Sequence, residues 1–513
     1  MFSQIISGAL HGVEGKLITV EADVSDGLPI FGMVGFLASE VKEAGERVKT
    51  ALRNSGFFIQ PKRVTVNLSP ADVRKEGSSF DLPIAISVLC AYGYIPNCNL
   101  EKILIIGELS LGGEVRPVRG ILPIVDYAYE QGIGKVMLSY ENRREGRLIQ
   151  GVEIIPIKNL TDAVTYLTGD SDSIIFAEAK EELQDKAKEK KSADILDFSD
   201  IRGQEGLKRA IEVAVSGMHN ILMMGPPGAG KSMIAKRIPS IMPEISYEES
   251  IALTKIYSAK GMLKAGEEFM QNRPFRIPHH SITKQALIGG GRIPKPGEIS
   301  LAHHGVLFLD EFLEFPKNII EIMRQPLEDR KIVISRLQGA YTFPANFMLV
   351  AAMNPCPCGY YPDMEKCTCT PLQIHRYLHK ISRPMLDRID INIAVKRISY
   401  EELYEKKAAG CSDEIRNRVL IAQEIQTKRY AQYPIHFNAQ LDNTLLEEVL
   451  ELGKAEKEMI KKCFYEYDLT ARGIHRILKV ARTIADLGEE KSVTCKHIME
   501  AVAYRIPEFK ERR

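Results

Sequence analysis

The chain has 513 residues, too many for one hydrophobic core, so we expect about two to four domains. With 45% apolar and 26% charged residues it has a globular composition, and apolar runs such as Ile84–Cys90 fall far short of the roughly 18 residues that a membrane span needs. Its 68 basic and 67 acidic side chains exclude a basic surface over the whole molecule, although not positive charge confined to a channel. The N-terminus lacks the basic, apolar and cleavage segments of a secretory signal, which predicts a cytoplasmic protein without a membrane partner.

The first 170 residues alternate strand-like and helix-like stretches, which predicts an α/β domain over residues 1–170. The predicted strands are Lys16–Ala22, Arg63–Leu68, Ile103–Leu109 and Lys135–Ser139, and the predicted helices are Ser39–Asn54, Asp81–Tyr92 and Gly120–Glu130. A charged linker is predicted over residues 171–193, because Glu178–Ser192 has almost no large apolar side chains.

Two further domains are predicted after the linker. Residues 194–395 carry the motifs for nucleotide chemistry, and residues 396–513 show helical periodicity, which predicts an all-α lid. The helices predicted for the lid are Ile415–Lys428, Leu445–Tyr465, Gly473–Leu487 and Thr494–Tyr504.

A glycine-rich loop follows the apolar strand Asn220–Met224 and precedes the helix-compatible run Met233–Ile238. Such an order of strand, loop and helix is the context of a phosphate-binding P-loop, in which backbone N–H groups and the helix N-terminus surround the phosphates. We expect Lys231 to reach the β- and γ-phosphates of ATP, and Ser232 to hold Mg²⁺. The residues of the loop are Gly225, Pro226, Pro227, Gly228, Ala229, Gly230, Lys231 and Ser232.

Two more apolar strands end in polar residues downstream of this loop. The run Gly305–Leu309 ends in Asp310 and Glu311, at the strand tip where ligands gather in open α/β sheets. Asp310 would support Mg²⁺ and Glu311 would polarise the attacking water. The run Phe347–Met353 ends at Asn354, where a sensor of the γ-phosphate would lie.

The run Arg383–Arg388 follows as RPMLDR. It makes Arg388 a candidate arginine finger that reaches the γ-phosphate of a neighbouring subunit.

Four of the nine cysteines form two CxC pairs, Cys356 with Cys358 and Cys367 with Cys369. In a reducing cytosol such a cluster is typical of metal ligands, and four thiolates can surround one tetrahedral Zn²⁺. Unligated or redox-active thiols are the alternative. Nearby histidines are spare ligands or surface residues, and the other cysteines are predicted to be ordinary thiols: His375, His379, Cys90, Cys98, Cys411, Cys463 and Cys495.

Two runs carry a resemblance to a known family, RPFRIPHHS at Arg273–Ser281 and GGGRIPKPGEISLAHHGVLFLDE at Gly289–Glu311. With them the chain resembles the magnesium-chelatase-like AAA+ ATPases and, more narrowly, the YifB/ComM family, over nearly its whole length. This resemblance implies an AAA+ P-loop core with a C-terminal helical lid, and a homo-hexameric ATPase. In the run Thr470–Leu487 it makes Arg472 the sensor-2 arginine. For the ComM branch it implies a helicase that drives branch migration of recombination intermediates.

Members of this AAA+ clade carry a helix-2 insert and a pre-sensor-1 hairpin that point into the pore of the ring. Lys331–Phe343 has two strand-like arms around Gln338-Gly339, which predicts such a hairpin. The basic residues that would then contact DNA phosphates are Arg292, Lys295, Lys331 and Arg336, with solvated surface charge as the alternative.

The runs Lys75–Ala85 and Gly107–Gly120 resemble the proteolytic domain of Lon proteases, which implies a ribosomal S5 domain 2-like α/β fold. Ser79 stands at the position of the nucleophile, but Leu122 stands where that family has its general-base lysine. A serine hydroxyl needs an adjacent base to become nucleophilic, and a leucine side chain cannot accept a proton. We therefore predict a non-catalytic domain that serves assembly or grips nucleic acid.

Together these features predict an ATP-hydrolysing ring motor that acts on single-stranded or branched DNA, with ATP, Mg²⁺ and Zn²⁺ as cofactors. One alternative is a chelatase-like or chaperone-like remodeller of protein partners. Another is an ATP-dependent protease, which Leu122 opposes.

Overall fold

In a computed structural model, an N-terminal α/β unit and a C-terminal helical unit flank a central parallel sheet. The structure describes residues 1–96, 100–169, 196–263, 269–336, 339–398, 400 and 411–505. The predicted linker 171–193 and Cys98 lie outside the described residues. Within these described ranges, every helix is too short or too polar to cross a lipid bilayer.

The N-terminal unit is built on a seven-stranded mixed sheet with the order β3-β4-β2-β1-β5-β8-β9. Its strands are β1 (Phe2–His11), β2 (Glu14–Ser25), β3 (Phe31–Gly35), β4 (Arg63–Ser69), β5 (Ile103–Ile105), β6 (Glu108–Leu109), β7 (Val115–Arg116), β8 (Lys135–Ser139) and β9 (Glu153–Ile157). Its helices are α1 (Ser39–Lys42), α2 (Ala44–Asn54), α3 (Asp81–Ala91), α4 (Ile121–Glu130), α5 (Arg143–Gly146) and α6 (Leu160–Thr168). Helix α3 is apolar on all sides and is buried along its whole length, so it forms the centre of this unit.

The structure departs from the predicted elements of this unit in several ways. Strands β1, β3, β7 and β9 and helices α5 and α6 were not predicted, and the predicted helix Ser39–Asn54 is divided between α1 and α2. In β1 the reason is that Ser3 and Ser7 occupy buried positions. The hydroxyl of Ser3 donates to the backbone oxygen of Ser87, which satisfies a polar group that the sequence pattern places outside the core. The predicted strand Ile103–Leu109 is divided between β5 and β6, which belong to different sheets.

The central unit contains five parallel strands in the order β11-β14-β17-β10-β18, and two hairpins. Its strands are β10 (Ile221–Met224), β11 (Phe275–Arg276), β12 (Gly289–Gly290), β13 (Lys295–Pro296), β14 (Val306–Leu309), β15 (Lys331–Arg336), β16 (Gly339–Pro344), β17 (Met348–Met353) and β18 (Ile391–Ala394). Its helices are α7 (Glu205–Gly217), α8 (Lys231–Ala235), α9 (Ile238–Ile241), α10 (Tyr247–Lys260), α11 (Lys284–Ile288), α12 (Glu298–Leu301), α13 (Lys317–Ile322), α14 (Arg324–Asp329), α15 (Pro371–Leu378) and α16 (Arg383–Leu386). The carboxyl ends of β10, β14 and β17 meet at one edge of the sheet, which is where open α/β sheets bind ligands.

The N-terminal unit contacts the central unit through helix α10. Lys255 of α10 forms an ion pair with Asp126 of α4, and the hydroxyl of Ser258 donates to the carboxylate of Glu145. Burial raises the pKa of Glu145, although Ser258 acts in the opposite direction. Buried charged and polar contacts of this kind require defined partners, so they hold the two units in one relative position.

The C-terminal unit is helical, with α17 (Ser412–Arg429), α18 (Asn443–Val449), α19 (Lys454–Glu466), α20 (Ala471–Leu487) and α21 (Cys495–Ala503). The predicted helix Leu445–Tyr465 is two helices, because the chain becomes extended at Leu450 and restarts with Gly453 as the N-cap of α19. A buried carboxylate joins α17 to α20: Asp486 accepts hydrogen bonds from Arg429, Arg482 and Asn438.

We expect Asp486→Ala to destabilise the helical unit by about 3–5 kcal/mol, because Arg482, itself only 2% exposed, would keep a buried charge without its partner. Urea unfolding followed by circular dichroism measures the loss. The control is Asp413→Ala, which removes an exposed partner of Arg416 and should leave stability unchanged. Equal losses in the two variants would contradict a special role for the buried carboxylate.

Candidate active site

The glycine-rich loop Gly225–Ser232 joins β10 to α8. Gly228 and Gly230 have φ angles of 77° and 84°, in the left-handed region where a Cβ is unfavourable, so the tight path of the loop depends on glycine. The loop lines a cavity of about 440 Å³ together with Asp310, Glu311 and Asn354. The structure therefore brings the predicted phosphate loop and the predicted ends of β14 and β17 to one place.

Lys231 lies at the centre of this arrangement. Its ammonium group donates to the backbone oxygens of Gly225 and Pro226 and, over 3.2 Å, to Oδ1 of Asn354. Burial lowers the pKa of Lys231 to about 8, while the nearby carboxylates of Asp310 and Glu311 oppose that shift. Asn354 is thus within reach of the cation that would hold the terminal phosphates.

Ser232 and Asp310 form a pair of oxygen ligands. The Ser232 hydroxyl donates to Oδ2 of Asp310 over 2.6 Å, and the Asp310 carboxylate also accepts from the backbone N–H of Glu311. A hydroxyl and a carboxylate are the hard oxygen donors that Mg²⁺ prefers beside phosphate and water. This donor set fits the Mg²⁺ that the sequence predicted.

Glu311 has a strained backbone and an exposed carboxylate. Its φ angle is 49°, which is uncommon for a residue with a side chain, and 59% of that side chain is exposed. Its Oε2 lies 3.7 Å from Nδ1 of His280, whose ring packs against that of His279 at 4.0 Å. No role was predicted for these histidines, although two consecutive histidines just after an edge strand could have indicated one.

The predicted arginine finger, Arg388, and the predicted sensor-2 arginine, Arg472, lie outside the lining of this cavity, as far as the described residues define it. Arg388 is 6% exposed, and its guanidinium pairs with Glu328 and donates to the backbone oxygens of Arg324 and Pro384. Arg472 is exposed in the first turn of α20. The role of Arg388 at a neighbouring subunit and the role of Arg472 as the sensor-2 arginine stay predictions, and Arg388 would have to leave Glu328 to perform its own.

The four predicted zinc ligands meet in space, with all four Sγ atoms within 4.8 Å of one another. The Sγ of Cys356 lies 3.4 Å from that of Cys358 and 3.8 Å from that of Cys367. Four sulfurs around one Zn²⁺ at 2.3 Å would be about 3.8 Å apart, so the geometry fits a tetrahedral site.

The histidines of the two runs that carry the family resemblance divide into two groups by position. His279 and His280 follow β11, with His280 beside Glu311, whereas His303 and His304 precede β14. Nδ1 of His303 accepts from the backbone N–H of Asn346, and burial lowers the pKa of His303 to about 3, so it is a neutral structural residue. His375 and His379 stack on each other at 3.9 Å and are not part of the four-cysteine group in the described chain.

The two hairpins of the central unit lie side by side. Arg336 on β15 approaches the backbone oxygen of Gly291 in the β12–β13 hairpin, and Tyr341 on β16 stacks on His11 of the N-terminal unit at 4.3 Å. A cavity of about 850 Å³ lies between the hairpins and that unit. The basic residues predicted to contact phosphates are all exposed: Arg292, Lys295, Lys331 and Arg336.

Ser79 lines the same cavity, and within the described ranges no base forms a hydrogen bond with its hydroxyl. Its hydroxyl has no hydrogen-bond partner among the residues that the structure describes. Leu122 is fully buried in α4, and its backbone N–H donates to Glu145. The described residues thus do not form a serine–base pair at Ser79.

The chain matches three family models. They are described as magnesium chelatase, subunit ChlI, over residues 197–403, subunit ChlI of Mg-chelatase over residues 20–142, and magnesium chelatase, subunit ChlI C-terminal, over residues 410–505.

Three known proteins show how far the similarity extends. The chain is 40% identical over 505 residues to competence protein ComM of Haemophilus influenzae, which covers 98% of this chain and 97% of that protein. It is 39% identical over 500 residues to the uncharacterized protein YifB of Escherichia coli, with 97% and 96% covered. A shorter match, 31% identical over 127 residues, joins 25% of this chain to 22% of Lon protease 2 of Bacillus subtilis.

The pKa of Lys231 generates a prediction about pH. Because the ammonium loses its proton as the pH rises through about 8, affinity for nucleotide phosphates should be level below that pH and fall by up to tenfold per pH unit above it. Titration with a fluorescent ATP analogue at several pH values measures this. Lys231→Arg is the control, because a guanidinium stays charged. The same pH-dependent loss in that variant would assign the effect to another group.

Proposed function

Because the chain belongs to the YifB/ComM family of magnesium-chelatase-like AAA+ ATPases, we propose that it hydrolyses ATP and uses the energy as a ring motor on DNA. The parallel central sheet, the Lon-like N-terminal unit and the helical C-terminal unit confirm the predicted fold class. The observation that carries the proposal is the convergence of Lys231, Ser232, Asp310, Glu311 and Asn354 on one cavity.

Each of these side chains has a defined task in the proposed hydrolysis. Lys231 contacts the β- and γ-phosphates, and Ser232 with Asp310 would hold Mg²⁺, which neutralises charge on the phosphates when bound. The exposed carboxylate of Glu311 accepts a hydrogen bond from the attacking water and orients it in line. Asn354, already in contact with Lys231, would detect whether the γ-phosphate is present.

Two observations support DNA as the substrate that the motor moves. One is the similarity over nearly the whole chain to a competence protein, which supports a role in natural transformation or recombination. The other is the set of exposed basic residues on the two adjacent hairpins, whose charge suits a phosphate backbone. We infer a cytoplasmic homo-hexamer with helicase or branch-migration activity, in which these hairpins face the pore.

The four-cysteine cluster is proposed to hold one Zn²⁺ per chain. Its support is the fit of the Sγ distances to a tetrahedral site.

The ATPase rate of the purified protein with single-stranded, duplex and forked DNA tests the proposed function. We expect turnover without DNA and a clear increase with single-stranded or forked DNA, while Lys231→Ala should abolish turnover because the phosphates lose their fixed counter-charge.

Substituting Arg292 and Arg336 together by alanine should weaken DNA stimulation and flatten its salt dependence. The matched control replaces the exposed lid residues Lys454 and Lys457. An ATPase rate that none of the three DNAs changes would favour a remodeller of protein partners.

Substitution of Arg388 tests whether neighbouring subunits of a ring cooperate in ATP hydrolysis. Arg388→Ala should preserve ATP binding but reduce hydrolysis, by about 10³–10⁵-fold if it behaves as other arginine fingers do. Mixing Arg388→Ala with Lys231→Ala should restore some activity, because some interfaces then pair an intact P-loop with an intact finger.

The mixing experiment requires independent evidence of subunit exchange, such as energy transfer between labelled chains. A melting temperature lowered by Arg388→Ala, with no rescue on mixing, would instead assign Arg388 the structural role that its pair with Glu328 suggests.

A further inference from the structure

The loop that carries the four cysteines lies directly against the nucleotide cavity. Gly359, in the turn after the first cysteine pair, has a φ angle of 84°, and a Cβ at this position would lie 2.5 Å from Cδ of Pro227 and 3.8 Å from Cγ of Asn354. Pro227 and Asn354 both line the cavity. The backbone of the cysteine loop thus packs against the phosphate loop at Pro227 and lies near the predicted γ-phosphate sensor.

A second contact joins the cysteine loop to the phosphate loop. The guanidinium of Arg397, which follows β18, lies over the ring of Tyr360 at 5.1 Å from the ring centroid. The same guanidinium approaches the backbone oxygen of Pro227 at 3.5 Å. Arg397 therefore links a residue of the cysteine loop to the same proline that Gly359 contacts.

The cysteine loop has almost no core of its own. Between residues 357 and 370 only Gly359 is buried, and the stretch 362–366 is exposed throughout. Hydrogen bonds to sulfur add to the backbone turns of this loop: Sγ of Cys356 accepts from the backbone N–H groups of Gly359 and Tyr361, and Sγ of Cys369 accepts from that of Cys358. Where a segment with so little apolar burial carries a metal site, metal binding supplies free energy that orders it.

We propose that the four-cysteine cluster is a zinc-dependent brace of the nucleotide site. Zn²⁺ on Cys356, Cys358, Cys367 and Cys369 fixes the turn at Gly359, and this turn holds Pro227 and Asn354 in the positions that bind phosphate. Nucleotide affinity then depends on metal occupancy, although no cysteine contacts the nucleotide. This brace rests on the proposed function only in that the cavity must bind ATP.

Zinc content and nucleotide affinity can be measured separately on the full-length protein. Elemental analysis gives the amount of zinc per chain. Titration with a fluorescent ATP analogue in excess Mg²⁺ gives the dissociation constant of the nucleotide. Both are measured on the protein as purified, after a zinc-selective chelator has removed the metal, and after zinc has been returned. We expect about one zinc per chain, an affinity about tenfold weaker after removal, and recovery when zinc returns; loss of supporting contacts around metal sites typically costs 10–100-fold.

Two variants separate the metal from its mechanical effect. The double variant Cys367→Ser with Cys369→Ser should lose zinc and bind the analogue as weakly as the stripped protein. Gly359→Ala should keep zinc but weaken binding, because its Cβ would push Pro227 aside. The matched control is Gly56→Ala, at a φ angle of 86° with no atom within 4 Å of the new Cβ, which should change neither quantity.

Three results would overturn the brace: wild-type protein without zinc, unchanged affinity in the stripped protein and the cysteine variant, or wild-type affinity in Gly359→Ala. If the cysteine variant does not fold, the stripped protein and Gly359→Ala still decide the question. Failure of the wild-type, zinc-loaded protein to bind the analogue is a different outcome, because it would overturn the proposed ATPase itself.

Discussion

Strand β17 pairs in parallel with β14 on one side and with β10 on the other, and the active site depends on this double pairing. The register places Met353 beside Met224, and Ala351 beside Leu309. Because parallel strands in register end at the same edge of a sheet, the phosphate loop after β10, the carboxylates after β14 and Asn354 after β17 meet there. A shift of one residue in either pairing would turn these side chains to the wrong face.

At the amino ends of the same strands, the sheet contacts the C-terminal helical unit through a buried carboxylate. Asp390, just before β18, forms an ion pair with Arg476 of α20 and accepts a hydrogen bond from the backbone N–H of Asn220, just before β10. Burial alone would raise the pKa of Asp390, but Arg476 and His219 hold it well below its usual range. Asp390 therefore links the C-terminal helical unit to the start of β10, and the other end of β10 carries the phosphate loop.

The Lon-like unit keeps the protease fold while the described residues offer Ser79 no base. Its contacts with the central unit instead involve α10 and the hairpin β15–β16, where His11 stacks on Tyr341. Those contacts suit a domain that frames the hairpins. Leu122, at the position where the resemblance to Lon proteases would place the lysine, fills a buried position in α4.

Local chemistry made much of this protein predictable from its sequence. The phosphate loop needs glycines at fixed spacing for its backbone path, an apolar strand followed by two acids indicates the edge of a sheet, and two CxC pairs can close on one metal through a short loop. The limits of β8 and most lid helices were also predictable, since their apolar periodicity is regular. Strand β1 was not, because serines that occupy buried positions interrupt its pattern.

Contacts between distant segments were decided only by the tertiary structure. The sequence does not show that His280 approaches Glu311, that Arg388 is buried against Glu328, or that Gly359 touches Pro227. The sheet order β11-β14-β17-β10-β18 accounts for two of them: it places β14 beside β11, so that Glu311 meets His280, and β17 beside β10, so that Gly359 meets Pro227. Residue type and spacing determine what a segment can bind, whereas the order of the strands determines which segments bind it together.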